Sequence, residues 1–76
     1  MSVEATEREI ASRLKRARED AGLSQNEVAV LLDIPRPSVT NIENGKRKCS
    51  ALELRRLCVI YRVSADWILG FGEEER

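Results

Sequence analysis

Apolar or small residues recur along this chain at the spacing of helix faces. Ile10, Leu14, Ala17 and Ala21 form one stripe, and Val28, Ala29, Leu32, Ile34, Val39 and Ile42 form a second group. Ala51, Leu54, Leu57, Cys58 and Tyr61 form a third. Gaps of three and four residues put the first stripe on one side of an α-helix, and the third keeps nearly the same spacing; the second runs with gaps of one, three, two, five and three. Polar residues mark where the helices begin. Thr6-Glu7-Arg8-Glu9, Ser24-Gln25-Asn26-Glu27 and Ser50-Ala51-Leu52-Glu53 each fit a capping box. In such a box the hydroxyl accepts from the amide three residues on, and the carboxylate reaches back to the cap amide. Ser64 offers a simpler cap before Ala65-Asp66.

This punctuation predicts five helices. The first covers Glu7 to Asp20 and is stopped by Gly22. The second covers Gln25 to Leu32, and the third covers Arg36 to Glu43 and ends at Asn44-Gly45. The fourth follows Ser50 through Tyr61, and Val63 leads into a short fifth over Ala65 to Leu69, where Trp67 and Ile68 close the core. Gly70-Phe71-Gly72 and the acidic residues after them read as frayed.

The group from Val28 to Ile42 shares one inner face only if the chain turns sharply between Asp33 and Pro35. Two helices meeting steeply over a small shared core describe a helix-turn-helix, a motif whose second helix can enter the DNA major groove. The turn needs a residue with positive φ, and Asp33 stands where glycine is usual. Aspartate visits the left-handed region more readily than most non-glycine residues. Pro35 and Pro37 fall in the first turn of the third helix, where amides have no helical partner.

Composition narrows the class. The 76 residues make one small domain, 42% apolar and 34% charged, and one Phe, one Trp and one Tyr leave little material for a sheet. A chain of this size buries only about 60% of the surface it exposes when unfolded. The formal net charge is zero, but the charges are unevenly placed. Arg8, Arg13, Lys15, Arg16 and Arg18 crowd the first helix, where a solvated face and phosphate contact are both open readings. Lys46, Arg47 and Lys48 form a second basic cluster beside the third helix, where phosphate contact is the stronger expectation. Glu4, Glu7, Glu73, Glu74 and Glu75 balance these charges from elsewhere. No run of membrane length and no signal-peptide pattern is present, which predicts a cytoplasmic protein with no membrane contact. Cys49 and Cys58 have no histidine to join them, so neither a structural metal nor a cofactor is expected. Cys58 reads as a buried small hydrophobe and Cys49 as a free thiol. With no histidine, metal cluster or phosphate loop, an enzyme is not expected.

Gly22-Leu23-Ser24-Gln25, Val28-Ala29, Leu32, Val39 and Ile42-Glu43-Asn44-Gly45-Lys46, closed by Val63-Ser64-Ala65-Asp66-Trp67-Ile68-Leu69, together resemble the phage-repressor class of helix-turn-helix domains, the Cro and CI-type or XRE-like family. The resemblance covers residues 10–69. It implies an all-α, lambda-repressor-like bundle of five helices, a single DNA-binding domain over 1–76 with an ordered core at about 7–70 and an acidic tail at 72–76. Asp33, Pro35 and Pro37 depart from the family pattern. By the same resemblance Gln25 bonds a DNA phosphate, while Arg36, Pro37, Thr40 and Asn41 meet bases, flanked by Ser38 and Asn44. Arg18 and Glu43 match a family ion pair between the first and third helices. Chemistry favours some of these roles independently. Arg36 can pair bidentately with guanine and Asn41 with adenine, whereas Pro37 can touch only a thymine methyl.

Val30, Leu31, Leu52, Val59 and Ile60 are apolar where the family tends to be more polar or half-buried. Tighter packing and an interface are both open explanations. For an interface, Val59, Ile60, Trp67 and Phe71 are the expected two-fold contact. The expected function is a sequence-specific regulator of transcription, a bacterial or phage repressor acting as a homodimer on a palindromic operator in double-stranded DNA. The alternative is an antitoxin-like or protease-partnered regulator that also binds a toxin or protease through its surplus apolar surface.

Overall fold

The computed structural model describes residues 6–71. Five helices follow one another: α1 (Glu7–Asp20), α2 (Gln25–Leu32), α3 (Arg36–Glu43), α4 (Ala51–Tyr61) and α5 (Ala65–Leu69), with no strand among the described residues. The all-α bundle and its five helix positions are those the sequence predicts, four of them from hydroxyl caps and α3 from its apolar spacing and Asn44-Gly45 stop. All three capping boxes form. The hydroxyls of Thr6, Ser24 and Ser50 accept from the amides of Glu9, Glu27 and Glu53 at 3.0–3.1 Å, and each carboxylate returns to the cap amide. Ser64 Oγ accepts from the Trp67 amide at 3.0 Å.

The helices also end alike. Gly22, Asp33, Gly45, Arg62 and Gly70 all have positive φ. After each, the next amide reaches back five residues: Leu23 to Arg18, Ile34 to Ala29, Lys46 to Asn41, Val63 to Cys58 and Phe71 to Asp66, at 2.7–3.2 Å. This is the Schellman closure, which satisfies carbonyls that a helix end leaves open. Asp33 thus performs the turn expected of it, at φ 58° and ψ 47°. Arg62 performs the same turn at φ 59° without any side-chain feature that favours it. Gly70 and Phe71 are held by this closure and are not frayed; Glu4 and the acidic tail at 72–76, Gly72 included, lie outside the described residues. Pro35 is the cap residue of α3 rather than part of its first turn, and Pro37 sits at its second helical position.

The core gathers Leu14 and Ala17 of α1, Val28, Ala29 and Leu32 of α2, Val39 and Ile42 of α3, Leu57 and Tyr61 of α4, and Ile68 of α5. Val28 and Ile68 are fully enclosed. Several expected core positions shift. Ala11 is buried in α1, while Ala21 is exposed because it lies beyond the last turn, where the chain leaves the helix. Ala51 is exposed at the start of α4, and Cys58 and Trp67 are only half-buried. Val30, Leu31, Leu52, Val59 and Phe71 stay exposed, so tighter packing does not account for them; Ile60 alone of the questioned group is partly covered.

Between α3 and α4, Arg47 forms two parallel bonds with Glu53, Nη1 to Oε1 and Nη2 to Oε2, both 3.0 Å. Glu53 Oε1 also accepts from the Ser50 amide. The Arg47 guanidinium first, then the Ser50 amide, holds the Glu53 carboxyl down at about 2.

Two outcomes follow from this framework. Left-handed backbone costs a side-chain-bearing residue roughly 1–2 kcal/mol, and glycine returns roughly 0.5–1 kcal/mol of that as chain entropy. Arg62→Gly is therefore expected to stabilise the fold by about 0.5–1 kcal/mol, raising Tm by about 2–8 °C in a thermal melt, and Asp33→Gly by less. Glu53 has a lower pKa folded than unfolded, so its contribution is complete above about pH 4.3 and is lost as pH falls through about 2. Denaturant unfolding of wild type and Glu53→Gln should show a stability gap that is constant near neutrality and closes between those two pH values.

Candidate nucleic-acid interface

The third helix is divided between two environments. Val39, Ile42 and Glu43 face inward and are buried. Arg36, Pro37, Asn41 and Asn44 are exposed, and Ser38 and Thr40 are half-buried. Pro37 removes no helical bond because its amide would lie in the first turn. The exposed row carries one guanidinium and two amides, the donor and acceptor groups that suit base edges.

Glu43 is the one charged residue buried among those described, and it joins three helices. Arg18 of α1 donates from Nε to its Oε2 at 2.7 Å and from Nη2 to its Oε1 at 3.2 Å. The side chains of Arg18 and Glu43 are 11% and 3% exposed. Arg18 Nη1 donates to the Leu23 carbonyl at 2.7 Å, tying the end of α1 to the approach to α2. The hydrogen bonds that Arg18 donates to Glu43 raise the pKa of Arg18 above its ordinary value, against the opposing effect of burial.

Gln25 joins this cluster. Its Nε2 donates to Glu43 Oε1 at 3.0 Å, and its Oε1 accepts from the Thr40 hydroxyl at 2.8 Å. Sequence reasoning places Gln25 and Thr40 separately on a DNA face, and the structure links them to each other and to the ion pair. Only their positions in the folded motif bring them together; spacing along the chain carries no sign of it. Arg18, Ser24, Gln25, Asn26 and Arg36 line an open groove at the start of α2. Helix N-termini favour anions, and two guanidiniums flank this one.

The loop after α3 supplies the basic cluster. The Lys46 and Arg47 amides both donate to the Asn41 carbonyl, at 2.8 and 3.2 Å. Lys46 and Lys48 are exposed, whereas the Arg47 guanidinium is bound to Glu53. Gly45 lies close against the α1 backbone: a Cβ there would stand 3.6 Å from Arg8 Cα. The proposed interface residues divide between surfaces. Val59 lines a groove between α4 and α5, while Trp67 lines another with Arg8, Arg13 and Arg16 of α1. Phe71 is exposed and Ile60 half-buried.

Burial pushes the Cys49 thiol up to about 11 and raises Cys58, so neither is a thiolate near neutral pH. No group of histidine, cysteine, aspartate or glutamate able to hold a metal occurs among the described residues. No helix among them is long and apolar enough to cross a membrane.

Comparison with known proteins agrees with this architecture. Residues 9–67 match a family model described as a helix-turn-helix domain. Over 64 residues the chain is 38% identical to the HTH-type transcriptional regulator ImmR of Bacillus subtilis, covering 84% of this chain and 50% of that protein. The chain thus spans about half the length of this curated relative. The restriction-modification controller protein C.AhdI from Aeromonas hydrophila superposes with a TM-score of 0.74 at 26% identity, over 82% of this chain and 94% of that one. The clp gene regulator ClgR from C. glutamicum shares the fold, with a TM-score of 0.77 at 21% identity over 97% of this chain and 96% of that one. With a matching motif, matching helix order and a family model covering most of its length, the chain belongs to the helix-turn-helix domain family, in its XRE, Cro and CI-type branch.

Proposed function

We propose that the chain is a sequence-specific regulator of transcription, a bacterial or phage repressor that binds a near-palindromic operator as a cytoplasmic homodimer. The observation that carries this reading is the division of α3, whose apolar row is buried while Arg36, Asn41 and Asn44 stand in solvent. The relatives support it, since the Bacillus subtilis protein is described as a transcriptional regulator and the Aeromonas hydrophila protein as a restriction-modification controller.

The region from about residue 7 to 70 acts as the DNA-binding unit. Two copies place α3 in successive major grooves, about 34 Å apart on one face of the duplex. Arg36 reads guanine, Asn41 reads adenine and Pro37 touches a thymine methyl, with Ser38 and Asn44 at the edges of the contact. Gln25, Lys46 and Lys48 hold phosphates. Arg47 serves the loop instead, because its guanidinium is committed to Glu53. The two-fold contact uses the exposed Val59 and Phe71 together with the partly covered Ile60 and Trp67, and it spans both the α4–α5 groove that Val59 lines and the α1 groove that Trp67 lines. Exposed Val30 and Leu31 on α2 favour a second reading, in which a toxin or protease also docks on the chain.

Binding titrations at stated salt test these roles. Arg36→Ala is expected to cost roughly 1–3 kcal/mol on the preferred site and to relax preference at one base position. Lys46→Ala should weaken all duplexes alike and reduce the log–log salt slope by about 0.9. Equal loss on preferred and random duplexes for Arg36→Ala removes it from the reading set. Sedimentation at micromolar concentration should show a dimer, converted to monomer by a Val59→Glu and Phe71→Glu pair; a wild-type monomer overturns the interface.

A further inference from the structure

The chain of hydrogen bonds running from Thr40 to Arg18 has a direction that its chemistry fixes. A carboxylate paired with a guanidinium can only accept, so the end of the Gln25 amide facing Glu43 must be its NH2 group. The other end of that amide is then the carbonyl oxygen, which also only accepts. The Thr40 hydroxyl beside it, at 2.8 Å, must therefore donate. A hydroxyl carries one proton. The other acceptor near Thr40 Oγ1, the Arg36 carbonyl, is farther away at 3.4 Å. Each orientation thus follows from the one before it, and the first is set by the charge of the ion pair. Gln25 keeps one N–H for an outside acceptor, and Thr40 keeps only lone pairs.

We infer that this buried ion pair, acting through Gln25, makes Thr40 an acceptor-only reader of the major groove. The inference rests on the reading that α3 docks into DNA. Thr40 lies on the same helix as exposed Arg36 and Asn41 and is itself partly open. The donors that bases offer in the major groove are the exocyclic amino groups of adenine and cytosine; guanine and thymine offer acceptors there. A hydroxyl free to rotate serves both kinds and reads neither. One whose proton is already committed meets guanine O6 or thymine O4 lone pair to lone pair. Thr40 accordingly selects adenine or cytosine over guanine or thymine on the strand it faces. Gln25, on a different helix, is a positioning residue for that choice.

Selection of bound sequences from random duplexes, run on four proteins, tests this. Wild type should show one base position where adenine or cytosine exceeds guanine or thymine by about threefold to tenfold, the size of a single hydrogen bond. Thr40→Val keeps the shape without the hydroxyl and should lose that bias while the rest of the site persists. Thr40→Ser should retain it. Gln25→Leu releases the Thr40 proton, and should even out the four bases at that same position, although residue 25 itself is assigned to phosphate. Thermal melts within a few degrees of wild type confirm that each variant folds; a Gln25→Leu that does not fold is replaced by Gln25→Met, with the same expectation. A defined site with no such bias, or a bias that survives Gln25→Leu, overturns the inference and leaves the regulator reading standing. No enriched sequence for wild type at all overturns that reading, and this one with it.

Discussion

A carboxylate almost shut off from water, with one guanidinium to answer it, constrains the whole domain. Glu43 terminates α3, and Arg18 comes from the last turn of α1. Removing either partner leaves an uncompensated buried charge, which typically costs about 3–5 kcal/mol. That is a large part of the stability of so small a domain. The pair therefore admits few placements of α3 relative to α1. Because Arg18 also holds the Leu23 carbonyl, and Glu43 also holds Gln25, the start of α2 is fixed by the same atoms. The angle at which α3 offers its polar row to solvent is thus set from its far end, by electrostatics, and from its inner face, by the packing of Val39 and Ile42.

Local chemistry supplies most of the remaining order. A core of this size cannot specify five helix boundaries by packing alone. Hydroxyl caps at four starts and a left-handed residue past every end give each helix defined limits before tertiary contacts act. Leu23, Ile34 and Val63, directly after three of those left-handed residues, are partly buried against the core. Stopping the helix and anchoring the connection are therefore one event at these places.

The starts of α1, α2 and α4 are legible because capping boxes are short, directional and chemically specific; α3 has no such signal, and Pro35 proves to be its cap rather than part of its first turn. The tight turn at Asp33 was legible too, since aspartate is among the few residues suited to it. Arg62 was not, because arginine carries no preference for left-handed backbone and only the surrounding packing imposes it. In the stripe of α1, Ile10 packs against the core as expected and Ala11 is buried beside it, while Ala21 is exposed because a helix that stops at Asp20 cannot direct the next residue. Exposure of Arg36 and Asn41 follows from the same periodicity that buries Val39 and Ile42. The Thr40–Gln25 bond and the capture of Arg47 by Glu53 depend on inter-element distances that no spacing rule contains.

The Asn41 carbonyl, which receives two amides from the following loop, joins the helix to its basic flank with almost no slack. Lys46 lies three residues past the end of α3 and is already tethered to it; Arg47 is clamped on the other side to α4. Under the proposed docking of α3, a duplex meeting this surface finds side chains for its groove and side chains for its backbone mounted on a single stiff jig. Mismatch in curvature or groove width must then be absorbed by the DNA. In that docking, easily deformed base steps lying outside every direct contact become part of the preferred site.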